Sequence, residues 1–251
     1  MKAITPIQTS DLEFDHGTFD APGFTAQTLS SWQTLAAIID HTLLKPEASR
    51  SQVETLCDEA ARYRFACAMV NPIWAATAVN CLSGTGVPVG VVIGFPFGAS
   101  LVSTLRQEAA ALTRLGAKEL DMVIPLGLLK SGNHHAVQHT IHAAANVAHH
   151  HGAILKVILE TALLTMEEKL RASEIAIQAG ADFIKTSTGF STGGATAADI
   201  ALMRGVAGAR CGVKASGGIR TLADVRAMLE AGANRIGASA SVAIVRELGA
   251  E

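Results

Sequence analysis

Short apolar runs alternate with longer amphipathic stretches from about residue 36 to the end of this chain. The runs cover residues 36–44, 65–70, 87–95, 118–124, 153–159, 182–188, 211–217 and 234–239. They are rich in β-branched residues and bounded by turn residues, the pattern of strands buried in a parallel sheet. Between them, apolar residues recur three and four apart in Ala-rich segments such as STLRQEAAALTRLG (103–116) and TMEEKLRASEIAIQAG (165–180), which predicts helices. Gly116, Gly180 and Gly232 each stand just before a strand, where a helix closes on a left-handed residue.

Eight such units predict an α/β chain folded as a single closed parallel (β/α)8 TIM barrel over residues 31–251, rather than an open doubly wound sheet. No GxGxxG follows the opening run, which also speaks against a dinucleotide-binding fold. Residues 1–30 fall outside the repeat and form an N-terminal extension. Its Phe14, Phe19 and Phe24 suit an anchor onto the barrel or onto a second copy, so a homo-oligomer, a dimer first, is expected.

Composition narrows the function classes. Hydrophobic residues make up 49% of the 251 and charged ones 17%, enough for a large core. A formal net charge of −2 without a basic stripe excludes a nucleic-acid face. No apolar run is long enough for a membrane span, and the acidic N-terminus lacks the apolar core of a signal peptide. Cys57, Cys67, Cys81 and Cys211 lack metal-site spacing and are too few for a disulfide scaffold. Reduced thiols and a cytoplasmic location are expected.

Three of the buried runs carry a lysine in their interior, Lys156, Lys185 and Lys214, at a regular step of 29 residues. A buried ammonium is costly unless it is neutralised or used. If one step is one β/α unit, the lysines occupy strands five, six and seven, about 4.8 Å apart, and converge in the barrel mouth. A lysine amine attacks a carbonyl only when neutral, and burial beside other cations favours that form. Lys185, between the other two, is the predicted Schiff-base nucleophile, with Lys214 and Lys156 setting the field. Asp121, in the preceding run, is placed to pair with an ammonium and relay protons.

Small-residue turns follow the last three runs: Ser187-Thr188-Gly189, Ser216-Gly217-Gly218 and Gly237-Ala238-Ser239. Glycines allow close backbone approach to an anion, and following helix N-termini offer free N–H groups. A phosphorylated substrate is expected there. His134, His135, His139, His142 and His149–His151 fall between strands four and five on an outer helix without an acidic partner, and read as a solvated face rather than a metal site.

These residues resemble deoxyribose-phosphate aldolases, a class I aldolase family. IDHTLLKP (39–46), VNP (70–72), VIGFPFG (92–98), ELDMVI (119–124), LKVILET (155–161), ADFIKTSTGF (181–190), VKASGGIRT (213–221) and RIGAS (235–239) follow the family pattern in order. The resemblance implies reversible cleavage of 2-deoxy-D-ribose 5-phosphate to acetaldehyde and D-glyceraldehyde 3-phosphate, without metal or organic cofactor. It gives Lys185 the Schiff base, Lys214 and Asp121 the proton relay, and Lys156 and Asp40 places in the pocket. Thr188, Gly189, Gly217, Gly218, Gly237 and Ser239 would surround the phosphosugar. Met69, where many relatives carry cysteine, implies greater aldehyde tolerance. Phe190 and Ala240 replace a lysine and a serine of some relatives, which implies a weaker preference for the phosphorylated sugar. The alternatives are another Schiff-base barrel aldolase or transaldolase, disfavoured by Lys156 and Lys214, and a non-catalytic phosphosugar-binding barrel.

Overall fold

A computed structural model of the chain describes residues 17–251. Among these residues eight parallel strands form a closed barrel in chain order. They are β1 (Ile39–Leu43), β2 (Cys67–Val70), β3 (Val89–Ile93), β4 (Glu119–Val123), β5 (Ile154–Ile158), β6 (Phe183–Lys185), β7 (Gly212–Ser216) and β8 (Arg235–Ala238). Each predicted run contains one strand, and β8 pairs back onto β1 with Asp40 opposite Gly237. The strands are shorter than the apolar runs because the run ends are drawn into turns. Thr188, inside the sixth run, already bends toward Glu160 rather than continuing the ladder.

Alternation along each strand separates two cores. Outward residues such as Leu120, Met122, Leu155, Val157, Val213 and Ile236 are fully buried against the surrounding helices. Each such side chain contributes about 1.5–3 kcal/mol by leaving water. The helices have local start signals. Ser49, Thr165 and Thr221 close capping boxes with Gln52, Glu168 and Asp224. The expected stops are also present, since Gly116, Gly180 and Gly232 take φ of 111°, 97° and 109°.

The described part of the N-terminal extension is turned onto the barrel. Asp20 caps a helix over Ala21–Thr28 that packs against the Leu222–Glu230 helix. The Phe19 and Phe24 rings lie 5.4 Å apart, and the Arg204 guanidinium sits 4.1 Å above Phe19. Arg204 also donates to the carbonyls of Gly232, Gly208 and Cys211, so it ties the extension to the barrel end opposite the strand C-termini. Of the alternatives read from the sequence, these two rings follow the first; Phe14 lies outside the described residues. No helix among the described residues is long and apolar enough to cross a membrane.

Candidate active site

The inward faces of β1 and β4–β8 carry an ion network built around Asp121. Its Oδ1 accepts from Lys156 Nζ at 2.7 Å, and its Oδ2 accepts from Lys185 Nζ at 2.8 Å and Lys214 Nζ at 2.7 Å. Lys214 also donates to Asp40 Oδ2. Asp40 Oδ1 accepts from Arg235 Nε at 2.6 Å, and Arg235 grips both Glu119 oxygens at 2.8 Å. Glu119 closes the loop by pairing with Lys156 Nζ at 2.6 Å.

The register decides which lysine meets solvent. Lys185 lies directly opposite Lys214, but Lys156 lies opposite Phe183, two residues deeper. Equal sequence spacing therefore does not give equal depth, and the expected convergence of all three lysines in the mouth is corrected. They converge on Asp121 beneath it, and of the three only Lys185 reaches the pocket wall. Gly237 makes this crossing possible: a Cβ there would meet Lys214 Cε at 3.0 Å.

Burial and neighbours sort these groups. Burial pushes the Lys156 amine down, but Asp121, Glu119 and Asp40 together hold it well above the usual lysine range. Lys185 has only Asp121 to oppose its burial, and that carboxylate is shared. Burial lowers Lys185, Asp121 raises it, and the Lys214 and Lys156 charges lower it again, leaving it at about 8. Burial alone would raise Asp121, yet Lys156, Lys185 and Lys214 hold it well below the carboxylate range. Asp40 is likewise held low, against its own burial, by Lys214, Lys156 and Arg235.

Above Lys185 a pocket of about 280 Å³ opens at the strand C-termini. Its wall is made by the turns after β6, β7 and β8, with Thr42 and Leu44 opposite. Gly217 and Gly218 take φ of 87° and 80°, which turns backbone rather than side chain toward the cavity. Glu160, itself left-handed at φ 56°, is buried and accepts from both the Thr188 N–H and its hydroxyl, fixing the β6 turn. Lys45 and Arg220 stand exposed at the rim. An amine with a lowered pKa under an opening lined by backbone and two cations is equipped to bind a small anionic carbonyl compound and form an imine.

The sequence matches the DeoC/LacD family aldolases over residues 9–247. This chain belongs to the DeoC/LacD aldolase family. A Bacillus mycoides protein named deoxyribose-phosphate aldolase is 53% identical over 211 residues, covering 84% of this chain and 94% of that protein. A solved structure of a putative deoxyribose-phosphate aldolase from Coccidioides immitis superposes with a TM-score of 0.83 at 40% identity, over 90% of this chain and 94% of that one. The deoxyribose phosphate aldolase of Aeropyrum pernix, described as a unique tetrameric structure, gives 0.84 at 34% identity, over 91% and 96% of the two chains.

In this aldolase the residues singled out from sequence fall into two groups. Lys185, Thr188, Gly189, Gly217, Gly218, Gly237 and Ser239 line the pocket. Asp40, Asp121, Lys156 and Lys214 lie under its floor, fully buried. Of the helices that follow these turns, Ala197–Ala207 and Leu222–Glu230 are capped by the Thr196 and Thr221 side chains, whereas Ser241–Glu247, after β8, starts without a side-chain cap.

Sequence reasoning passed over Glu119 and Arg235, although each stands two residues before a residue it selected, Asp121 and Gly237, on the same strand face. It also left Glu160 undecided between a lysine partner and catalysis; the carboxylate instead holds Thr188. The histidine-bearing helix His134–His150 presents His134, His135, His139, His142, His149 and His150 to solvent. One correction applies there, since His149 does have an acidic partner, Asp182, at 2.8 Å.

Proposed function

We propose that this aldolase reversibly cleaves 2-deoxy-D-ribose 5-phosphate to acetaldehyde and D-glyceraldehyde 3-phosphate through a Schiff base on Lys185. The observation that carries the reading is the placement of Lys185: a buried amine lowered to about 8, at the base of the pocket at the strand C-termini. About a tenth of such an amine is neutral at pH 7, against well under a thousandth of a free lysine.

The open-chain sugar enters with its phosphate toward the turns of Gly189, Gly217, Gly218 and Ser239, near Lys45 and Arg220. Neutral Lys185 attacks C1, and the carbinolamine loses water to give the protonated imine. A base then takes the C3-hydroxyl proton as the C2–C3 bond breaks, and the bonding pair moves into the imine to form an enamine. Asp121, which accepts from both Lys214 and the attacking amine, carries the protons in this step together with Lys214. Glyceraldehyde 3-phosphate leaves, C2 is protonated, and water hydrolyses the imine to acetaldehyde and free Lys185. Every bond change is accommodated by the amine and its proton relay.

Borohydride reduction in the presence of acetaldehyde is expected to leave a two-carbon adduct on Lys185, read by peptide mass spectrometry. Lys185→Leu is expected to lose both adduct and turnover. Turnover retained by that variant would remove the assignment, and a folded protein that binds the phosphosugar without forming any adduct would instead be a binding barrel.

A further inference from the structure

The barrel interior holds more charge than one reactive amine requires. Asp40 faces it from β1, Glu119 and Asp121 from β4, Lys156 from β5, Lys185 from β6, Lys214 from β7 and Arg235 from β8. From β2 comes the Cys67 thiol, pushed up by burial and by the charges of Glu119 and Asp40 and so neutral. β3 contributes Gly90 and Val92, which do not ionise. Above Lys185, Glu160 is engaged with Thr188, and Lys45 and Arg220 stand at the solvent end of the pocket.

By sign, this set, buried except for the partly exposed Arg235, comprises three carboxylates and, with Lys185 protonated, four cations. Glu119 and Arg235 make no ion pair with Lys185 and do not line the pocket. They belong to the far side of the network, where the Arg235 fork joins Glu119 to Asp40 and Glu119 passes the contact to Lys156. Arg235 is the permanent cation of the group, because a guanidinium does not lose its proton in a protein.

We propose that Arg235 and Glu119 are positioning residues that set the charge count of the barrel interior, and with it whether the Lys185 amine is free to attack. With Arg235, Lys156 and Lys214 charged, three cations balance three carboxylates, and the proton on Lys185 is surplus. Without Arg235 the carboxylates recruit Lys185 as their third cation. Without Glu119 the surplus grows from one charge to two, and Lys185 gives up its proton more readily. The two losses break the same Arg235–Glu119 pair yet act on the amine in opposite directions. A role in packing alone would move both the same way.

The inference rests on Lys185 as the Schiff-base amine, and one experiment keeps the two apart. The full chain is mixed with acetaldehyde, quenched with borohydride at successive times across about pH 6 to 10, and the adduct on Lys185 is quantified by mass spectrometry. In the parent protein the rate is expected to rise to a midpoint near 8. Arg235→Gln is expected to move the midpoint up and Glu119→Gln down, each by about one pH unit. That is the influence of a unit charge roughly 10 Å away at an effective dielectric constant of about 20. At pH 7 this reads as roughly tenfold slower trapping in the first variant and roughly fivefold faster in the second. Arg235→Lys, which keeps the charge, is expected to restore the parent midpoint.

Absence of a Lys185 adduct in the parent would defeat the Schiff-base reading itself. A normal parent profile with both variants unmoved, or moved in the same direction, would overturn the charge count and leave that reading standing. Should Arg235→Gln fail to fold, Glu119→Gln still decides, since a midpoint at or above the parent's contradicts the proposal.

Discussion

The inside of this barrel is divided into an ionic side and an apolar side. On β1 and β4–β8 the inward residues form a continuous network of acids and bases around Asp121. On β2 and β3 they are Cys67, Met69, Gly90 and Val92, packed with Leu44 and Phe95 into a small cluster of their own. Both sides are withdrawn from solvent, Arg235 alone of the network's charges being partly exposed, and the difference shows that burial does not specify chemistry by itself. The apolar side excludes water and offers no counter-charge, so each charge opposite must be answered within its own network. There the partners are unequally distributed: Lys156 faces three carboxylates, while Lys185 has a share of one. That inequality separates a structural ammonium from a reactive amine.

The comparison can be broken most severely at Asp121. Asp121→Asn removes the one group that contacts all three lysines, and turnover is expected to fall about 10²–10⁴-fold in single-turnover assays. Loss of a buried counter-ion is also expected to cost about 3–5 kcal/mol in urea unfolding. Unchanged turnover would dissolve the distinction between the two sides.

A change on the apolar side has a smaller and different consequence. A Cβ at Gly90 would approach Met69 Cε to 2.4 Å and Cys67 Sγ to 2.6 Å, so those side chains must move. Gly90→Ala is expected to lower stability by about 1–3 kcal/mol while the midpoint of imine formation stays near 8. A shifted midpoint would show that packing on the apolar side helps to tune the amine.

The smallest effect concerns Cys67. Its thiol is fully buried and raised well above the ordinary cysteine range by burial, Glu119 and Asp40, which suppresses the nucleophilic thiolate. Prolonged incubation with acetaldehyde is expected to leave Cys67 unmodified in a mass map. A Cys67 adduct with parallel loss of activity would contradict both this and the aldehyde tolerance expected from Met69.

Much of the site was legible before the fold because its signals are local. A lysine or aspartate within an apolar run is conspicuous at any position, and strand periodicity told which runs formed the barrel. Glu119 escaped notice because Asp121, two residues on, already explained an acid in that strand. Arg235 opens its strand, a place where a solvent-exposed arginine is ordinary. Their connection appears only through partners 116 and 195 residues away, since Arg235 reaches Glu119 across the barrel and Asp40 on the adjoining strand.

The sequence by itself determined eight β/α units, their order, and the strands that carry Lys156, Lys185 and Lys214, because hydrophobic alternation and turn chemistry act over a few residues. Tertiary structure decided how deep each lysine lies and how many carboxylates it meets. Depth follows from the stagger of neighbouring strands, which puts Lys156 opposite Phe183 rather than Lys185. Charge balance follows from closure between β8 and β1, which brings Arg235 to Asp40. Both are properties of hydrogen bonding and Coulomb contact between distant segments, and no local pattern along the chain contains them.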